Sequence, residues 1–138
     1  MEHERYSRDN LADVLRAHGV NPTHQRIEIA HAIFKRGEHL SANDILAEVN
    51  QRHLVASRAT LYNTLKLLVD SGLIREVIVH PGSVFYDPNT SEHYHLYDVA
   101  TGRLTDVDAA DVRIQGLPKL ASGAVIEGVD MIVRVRRP

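Results

Sequence analysis

Two histidines separated by a single residue, His93 and His95 around Tyr94, carry the clearest chemical signal in the chain. Side chains alternate in direction along an extended strand, so residues two apart project from one face and these imidazoles stand together. Asp87 precedes them across the polar run Asp87-Pro88-Asn89-Thr90-Ser91, and Asp106 follows in a second extended run. Imidazole and carboxylate without thiolate suit hard or borderline ions such as Fe(II), Mn(II) or Zn(II). The 138 residues include no cysteine, which removes disulfides, thiolate zinc sites and cysteine catalysis together.

A hairpin turning at Thr101-Gly102 places Asp106 opposite Tyr97. Tyr97, His95 and His93 share a parity, so this register puts the carboxylate on the imidazole face, diagonal to His95. Asp87 can fold back across the polar run to add a further oxygen. The histidines at 3, 18, 24, 31, 53 and 80 have no carboxylate converging on them in the sequence and read as surface or packing residues. Two imidazoles and a carboxylate are also the facial triad of mononuclear iron oxygenases. That chemistry needs a substrate cavity, which about 50 residues beyond the polar run do not obviously build. The blander alternative is a set of histidines that buffer metal without signalling.

The positioning elements follow from apolar spacing and caps. Ser7 caps a first helix with Leu11, Val14 and Leu15 on one face, stopped at Gly19. Thr23 opens a second, with Ile27, Ala30, Ile33 and Phe34 at helical spacing up to Gly37. Ser41 and Asp44 form a capping-box pair for a third helix over 42–52, burying Ile45, Leu46 and Val49. Ser57 caps a fourth, whose stripe is Leu61, Leu65, Leu68 and Val69, closed by Gly72. Extended runs at 73–80 and 84–87 flank Pro81-Gly82-Ser83 and predict a hairpin. Helices followed by a hairpin suggest a winged helix-turn-helix whose second helix enters the major groove.

Beyond a hinge at 87–92, runs at 93–99, 103–107 and 130–137 predict a small sheet. Three strands bury too little alone, so dimerisation is a natural way to complete their core. The predicted class is α+β: a winged-helix DNA-binding domain over 1–86, then a small α/β domain for dimerisation and metal sensing over 93–138. A hydrophobic content of 43% and charged content of 25% are those of a globular protein, and no apolar run nears the ~20 residues needed to span a bilayer. The charged N-terminus lacks the apolar core of a secretion signal, which predicts a cytoplasmic protein.

A net charge of −2 argues against a global basic field, but no acidic residue occurs from Val49 to Val69 while Arg52, Arg58 and Lys66 do. The fourth helix offers Arg58, Ala59, Thr60, Tyr62, Asn63 and Lys66 outward, a mixture of base readers and phosphate donors.

Thr23-His24-Gln25-Arg26, His39-Leu40-Ser41-Ala42-Asn43-Asp44-Ile45, Ala59-Thr60-Leu61-Tyr62-Asn63-Thr64-Leu65, Gly72-Leu73-Ile74 and His93-Tyr94-His95 occur in that order. Together they resemble the ferric uptake regulator (Fur) superfamily over residues 10–107. The resemblance implies a homodimeric, metal-responsive transcription factor, usually a repressor, that reads a palindromic DNA operator; Arg26 joins the candidate DNA contacts. It implies that the regulatory metal, Fe(II) or Mn(II), is held by His39 with His93 and His95. Iron-uptake members usually carry Glu where Tyr86 stands, whereas Asp87 and Asp106 match the two aspartates of the peroxide-sensing branch. That branch further implies His39 or His93 as targets of peroxide attack. The iron response regulator branch, which also carries Tyr-Asp before the histidine pair, implies iron or haem status as the signal instead.

The chain departs from the family in two places. Asp98-Val99-Ala100-Thr101 stands where most members begin a Cys-x-x-Cys zinc site, so the structural zinc is expected to be absent. Dimerisation then rests on the sheet and its apolar contacts, the 131–135 strand included. The basic residue that members often place before the second helix is replaced around Asn21.

Overall fold

The computed structural model describes residues 6–137; residues 1–5, with the charged N-terminus and His3, and residue 138 lie outside the described part. The chain divides into two units, the first running to Thr90 and the second starting at Ser91.

In the first unit each helix starts at a side-chain oxygen that accepts an otherwise orphaned backbone N–H. Helix α1 (Arg8–Ala17) begins where Ser7 accepts from Asn10 N–H, and buries Leu11 and Leu15 one turn apart. Helix α2 (His24–Arg36) begins where Thr23 accepts from Arg26 N–H, and ends at Gly37, whose φ of 63° is open mainly to glycine. Strand β1 (Leu40–Ser41) leads directly into α3 (Ala42–Val49) through the predicted capping box: Asp44 N–H donates to Ser41 Oγ at 3.1 Å, and Ser41 N–H to Asp44 Oδ2 at 3.2 Å. Helix α4 (Arg58–Asp70) is capped by Ser57 and buries Leu61, Thr64, Leu65 and Leu68. Val69, read as part of that stripe, is only half-buried.

Helix α3 stops short of the expected 42–52. Asn50 turns its amide onto the following loop, accepting from Val55 N–H at 2.8 Å and Ala56 N–H at 3.0 Å and donating to Ala56 C=O at 2.9 Å. Those three bonds draw the chain away from the helix axis. The first strand of the wing starts later than the expected residue 73, because Leu73 and Ile74 donate their N–H groups back to Leu68 C=O and close α4. Strand β2 (Arg75–His80) then pairs antiparallel with β3 (Ser83–Asp87), and β1 adds to the other edge of β3 with Leu40 opposite Tyr86. The two-residue β1 had no signal in the sequence, being too short to show alternation.

The hydrophobic cluster runs from Leu11 to Tyr86 and includes Ile29, Ile33, Ile45, Leu61, Leu65 and Leu68, each at most 1% exposed. Burying a Leu or Ile side chain fully contributes roughly 1.5–3 kcal/mol, so the helices are held chiefly by this shared core.

The second unit is a three-stranded sheet. Strand β4 (His93–Asp98) pairs antiparallel with β5 (Leu104–Asp108) and parallel with β6 (Ile132–Val135). A parallel partner needs a long return, which residues 112–131 provide without regular structure after a 3₁₀ turn at Ala109–Asp111. That return leaves Ile114, Leu117, Leu120, Val125 and Ile126 exposed.

The β4–β5 register differs from the expected one. His95, not Tyr97, lies opposite Asp106, and Tyr97 lies opposite Leu104. The turn is wider than Thr101-Gly102 because Asp98 organises it: its carboxylate accepts from Ala100 N–H at 2.9 Å and Thr101 N–H at 3.2 Å, and Gly102 N–H donates to its backbone carbonyl at 2.8 Å. The shift is two residues, an even number, so Asp106 keeps the face it was predicted to have. Among the described residues no helix is long and apolar enough to cross a membrane.

Candidate metal centre

Each unit carries its own cluster of imidazole and carboxylate. In the first, the β1–β3 ladder pairs Leu40 with Tyr86 and thereby sets His39, one residue before β1, against Asp87 at the end of β3. His39 Nε2 and Asp87 Oδ2 are 3.1 Å apart. Asp87 is 2% exposed, and its other oxygen accepts from Asn89 N–H at 2.9 Å. A buried carboxylate is costly unless it is held by donors or a cation; here Asn89 N–H donates to one oxygen and the His39 ring faces the other.

In the second unit, His93 and His95 are 5% and 2% exposed, with ring centroids 4.6 Å apart in an edge-to-face arrangement. Their Nε2 atoms lie 3.4 and 3.7 Å from Asp106 Oδ1, whose side chain remains half exposed. His93 Nδ1 lies 2.6 Å from Ser91 C=O. A carbonyl can only accept, so Nδ1 donates to Ser91 and Nε2 is the nitrogen that faces Asp106. A carbonyl on the far nitrogen is how metal-binding imidazoles are commonly oriented. Bonds of about 2.1 Å to one ion leave ligand atoms roughly 3 to 3.5 Å apart; the 3.1 and 3.4 Å separations fall in that range and the 3.7 Å one just beyond it. The donor set in both units is therefore that of a borderline divalent ion. The Ser91 carbonyl is a partner that sequence reading missed, since a backbone oxygen leaves no residue-type signal.

The predicted DNA-contacting residues fall into two groups. Ala59, Tyr62 and Asn63 are exposed on α4, Tyr62 at 47%. The others are engaged within the molecule. Arg58 Nη1 donates to Asn43 Oδ1 at 2.8 Å, Lys66 Nζ to Asp70 Oδ2 at 2.9 Å, and Arg26 Nη1 to Asn21 C=O at 3.1 Å. Thr60 shares a 3.1 Å hydroxyl contact with Ser57 at the helix cap. Asn43, which orients Arg58, went unnoticed in the sequence because the pair is fifteen residues apart.

The model of the Ferric uptake regulator family matches residues 17–133. The peroxide-responsive repressor PerR of Staphylococcus epidermidis is 32% identical over 92 residues, which cover 67% of this chain and 61% of that relative. The chain thus matches less than two thirds of the length of that curated relative. Among solved structures, the ferric uptake regulator from Pseudomonas aeruginosa with manganese superposes with a TM-score of 0.69 at 21% identity, covering 91% of this chain and 96% of that one. The Vibrio cholerae ferric uptake regulator gives 0.71 at 16% identity, with 92% and 99% covered. At these identities the structural likeness establishes the shared fold. With the family model spanning both units, the chain belongs to the ferric uptake regulator family.

Proposed function

We propose that this protein is a metal-dependent, DNA-binding transcriptional repressor, acting as a homodimer on a palindromic operator in the cytoplasm. In this reading a single Fe(II) or Mn(II) ion is held by His39 and Asp87 of the first unit with His93, His95 and Asp106 of the second. The observation that carries it is that each unit presents an incomplete ligand set, one imidazole with one carboxylate and two imidazoles with one carboxylate. Borderline divalent ions take about four to six ligands; the pair in the first unit is too few, and the three ligands of the second leave open positions that His39 and Asp87 would fill. Bound there, the ion supplies a cross-link between the units.

The rest is done by the chain. His39 and Asp87 are rooted in the wing sheet, whose β1 and β3 contact α3, the helix that packs against α4, so fixing them bears on the recognition helix. His93, His95 and Asp106 are rooted in the sheet proposed to dimerise, and residues 87–92 act as the hinge. A dimer reads two half-sites, so its affinity depends on how well the separation of its two α4 helices is held. Tighter metal binding by the locked form than the free form, by about 1–3 kcal/mol, makes operator affinity rise about 5- to 150-fold with metal. On α4, Arg58, Thr60, Tyr62 and Asn63 are the proposed readers, with Ala59 allowing close approach and Lys66 facing phosphate; Arg26, on α2, is a further proposed phosphate contact. No step calls for a bound substrate, and the protein is proposed to be a regulator rather than an enzyme.

Peroxide is the favoured signal, because the 32%-identical relatives are named peroxide-responsive repressors and both acidic ligands here are aspartates. The deciding experiment is operator affinity measured for apo protein, with Mn(II), with Fe(II) before and after peroxide, and with haem. Metal-dependent binding that peroxide abolishes with Fe(II) but not with Mn(II) supports the reading. Loss of binding on haem addition alone assigns the signal to haem, and operator binding that ignores metal overturns it.

A further inference from the structure

A cleft of about 450 Å³ in the first unit lies away from these metal ligands, between α1, α2, the end of α3 and the loop after it. Helix α2 contributes His24, Glu28, His31 and Lys35, which share a face at spacings of four, three and four residues. The loop contributes Arg52 and His53 from the opposite side.

The two carboxylates on its walls are already matched. Arg8 clamps Glu28 through two nitrogens at 2.6 and 3.1 Å, and Lys35 pairs with Glu48. Arg52, by contrast, makes no ion pair among the described residues, and three imidazoles line the same space. Metal binding does not fit. His24 and His31 are two turns apart on one helix, about 10 Å along its axis, and no three ligand atoms of this cleft lie within 4.8 Å of one another. What remains after the pairs cancel is a guanidinium fork and a row of imidazole N–H donors, a donor set suited to oxyanions. The volume lies in the range of small-molecule sites.

We propose that this cleft binds a small multiply charged oxyanion, a di- or tricarboxylate or a phosphate, with Arg52 as the principal anchor and His31 and His53 as donors. Burial and the neighbouring Arg8 and Lys35 hold His31 below its ordinary pKa, the sign expected beside excess positive charge. The loop that supplies Arg52 and His53 joins α3 to α4 and is pinned by Asn50, so an anion seated there bears directly on the helix pair. This inference does not depend on the metal reading.

The test titrates metal-free, full-length protein with tricarballylate and, separately, inorganic phosphate, read by backbone amide NMR. Saturable shifts confined to residues 24–35 and 48–55, weakened at least tenfold by the Arg52→Ala/His53→Ala double change, support the site; both residues are exposed, so the variant should fold. Absence of saturation by about 20 mM, roughly 2 kcal/mol of binding at a 1 M standard state, overturns it. So does equal binding by wild type and variant. If neither probe binds but Arg52→Ala weakens operator binding and reduces its salt dependence by about one phosphate contact, the cleft faces DNA backbone and the proposal fails.

Discussion

Asp106 stands directly opposite His95 in the β4–β5 ladder, with Oδ1 3.7 Å from His95 Nε2 and 3.4 Å from His93 Nε2. It is the one exposed member of that trio, so it can be removed with little cost to packing. Asp106→Ala is expected to lower Mn(II) affinity by at least about tenfold while leaving the melting temperature of the metal-free protein within about 2 °C. Competition against a fluorescent chelator, alongside thermal melts, measures both. Unchanged affinity removes Asp106 from the ligand set.

Arg58 and Lys66 should differ although both are basic residues on α4. Arg58 is oriented by Asn43 near the helix N-terminus, and Arg58→Ala is expected to weaken operator binding by about 1–3 kcal/mol. Asn43→Ala should produce a smaller loss in the same direction. Lys66 pairs with Asp70 on the exposed face and is proposed to face phosphate, so Lys66→Ala should weaken binding about equally for operator and unrelated DNA while reducing the salt slope by about one contact. Fluorescence anisotropy across a salt series separates the three.

Asn50 holds the α3–α4 turn with three hydrogen bonds to the backbone of Val55 and Ala56. Asn50→Ala leaves those half-buried groups without their partner and should destabilise the protein by about 1–3 kcal/mol, measured by urea unfolding. Asn50→Asp retains the acceptor but loses the donor, and should fall between.

Asp98 offers a pH signature. The N–H groups of Ala100 and then Thr101 hold its carboxyl below the ordinary value. A depressed folded-state pKa means that the stabilisation is present above the unfolded-state pKa and is lost as pH falls through the folded one. The melting temperature of Asp98→Ala should therefore lie below wild type near pH 7, and the gap should close below about pH 4. A gap that persists at low pH assigns the effect to something other than the carboxylate.

Much of the first unit was legible because its determinants are local. Ser7, Thr23, Ser41 and Ser57 each sit where a helix needs an acceptor, and all four cap the helices they were read to cap. The β4 histidines were legible for the same reason, since strand parity follows from backbone geometry alone. Where local signals competed, reading failed: Asn50 ended α3 early, and Asp98 widened a turn that Thr101-Gly102 had suggested was tight.

By itself, then, the sequence determined the helix starts, the shared face of His93 and His95, and the absence of any thiolate ligand, because each depends on residues within a few positions of one another. Only the tertiary structure decided that Asp106 faces His95 and that His39 meets Asp87, through a two-residue strand too short to leave a pattern. Strand pairing joins residues far apart in the chain, and its register is settled by the sum of turn hydrogen bonds and packing, which no single stretch of sequence contains.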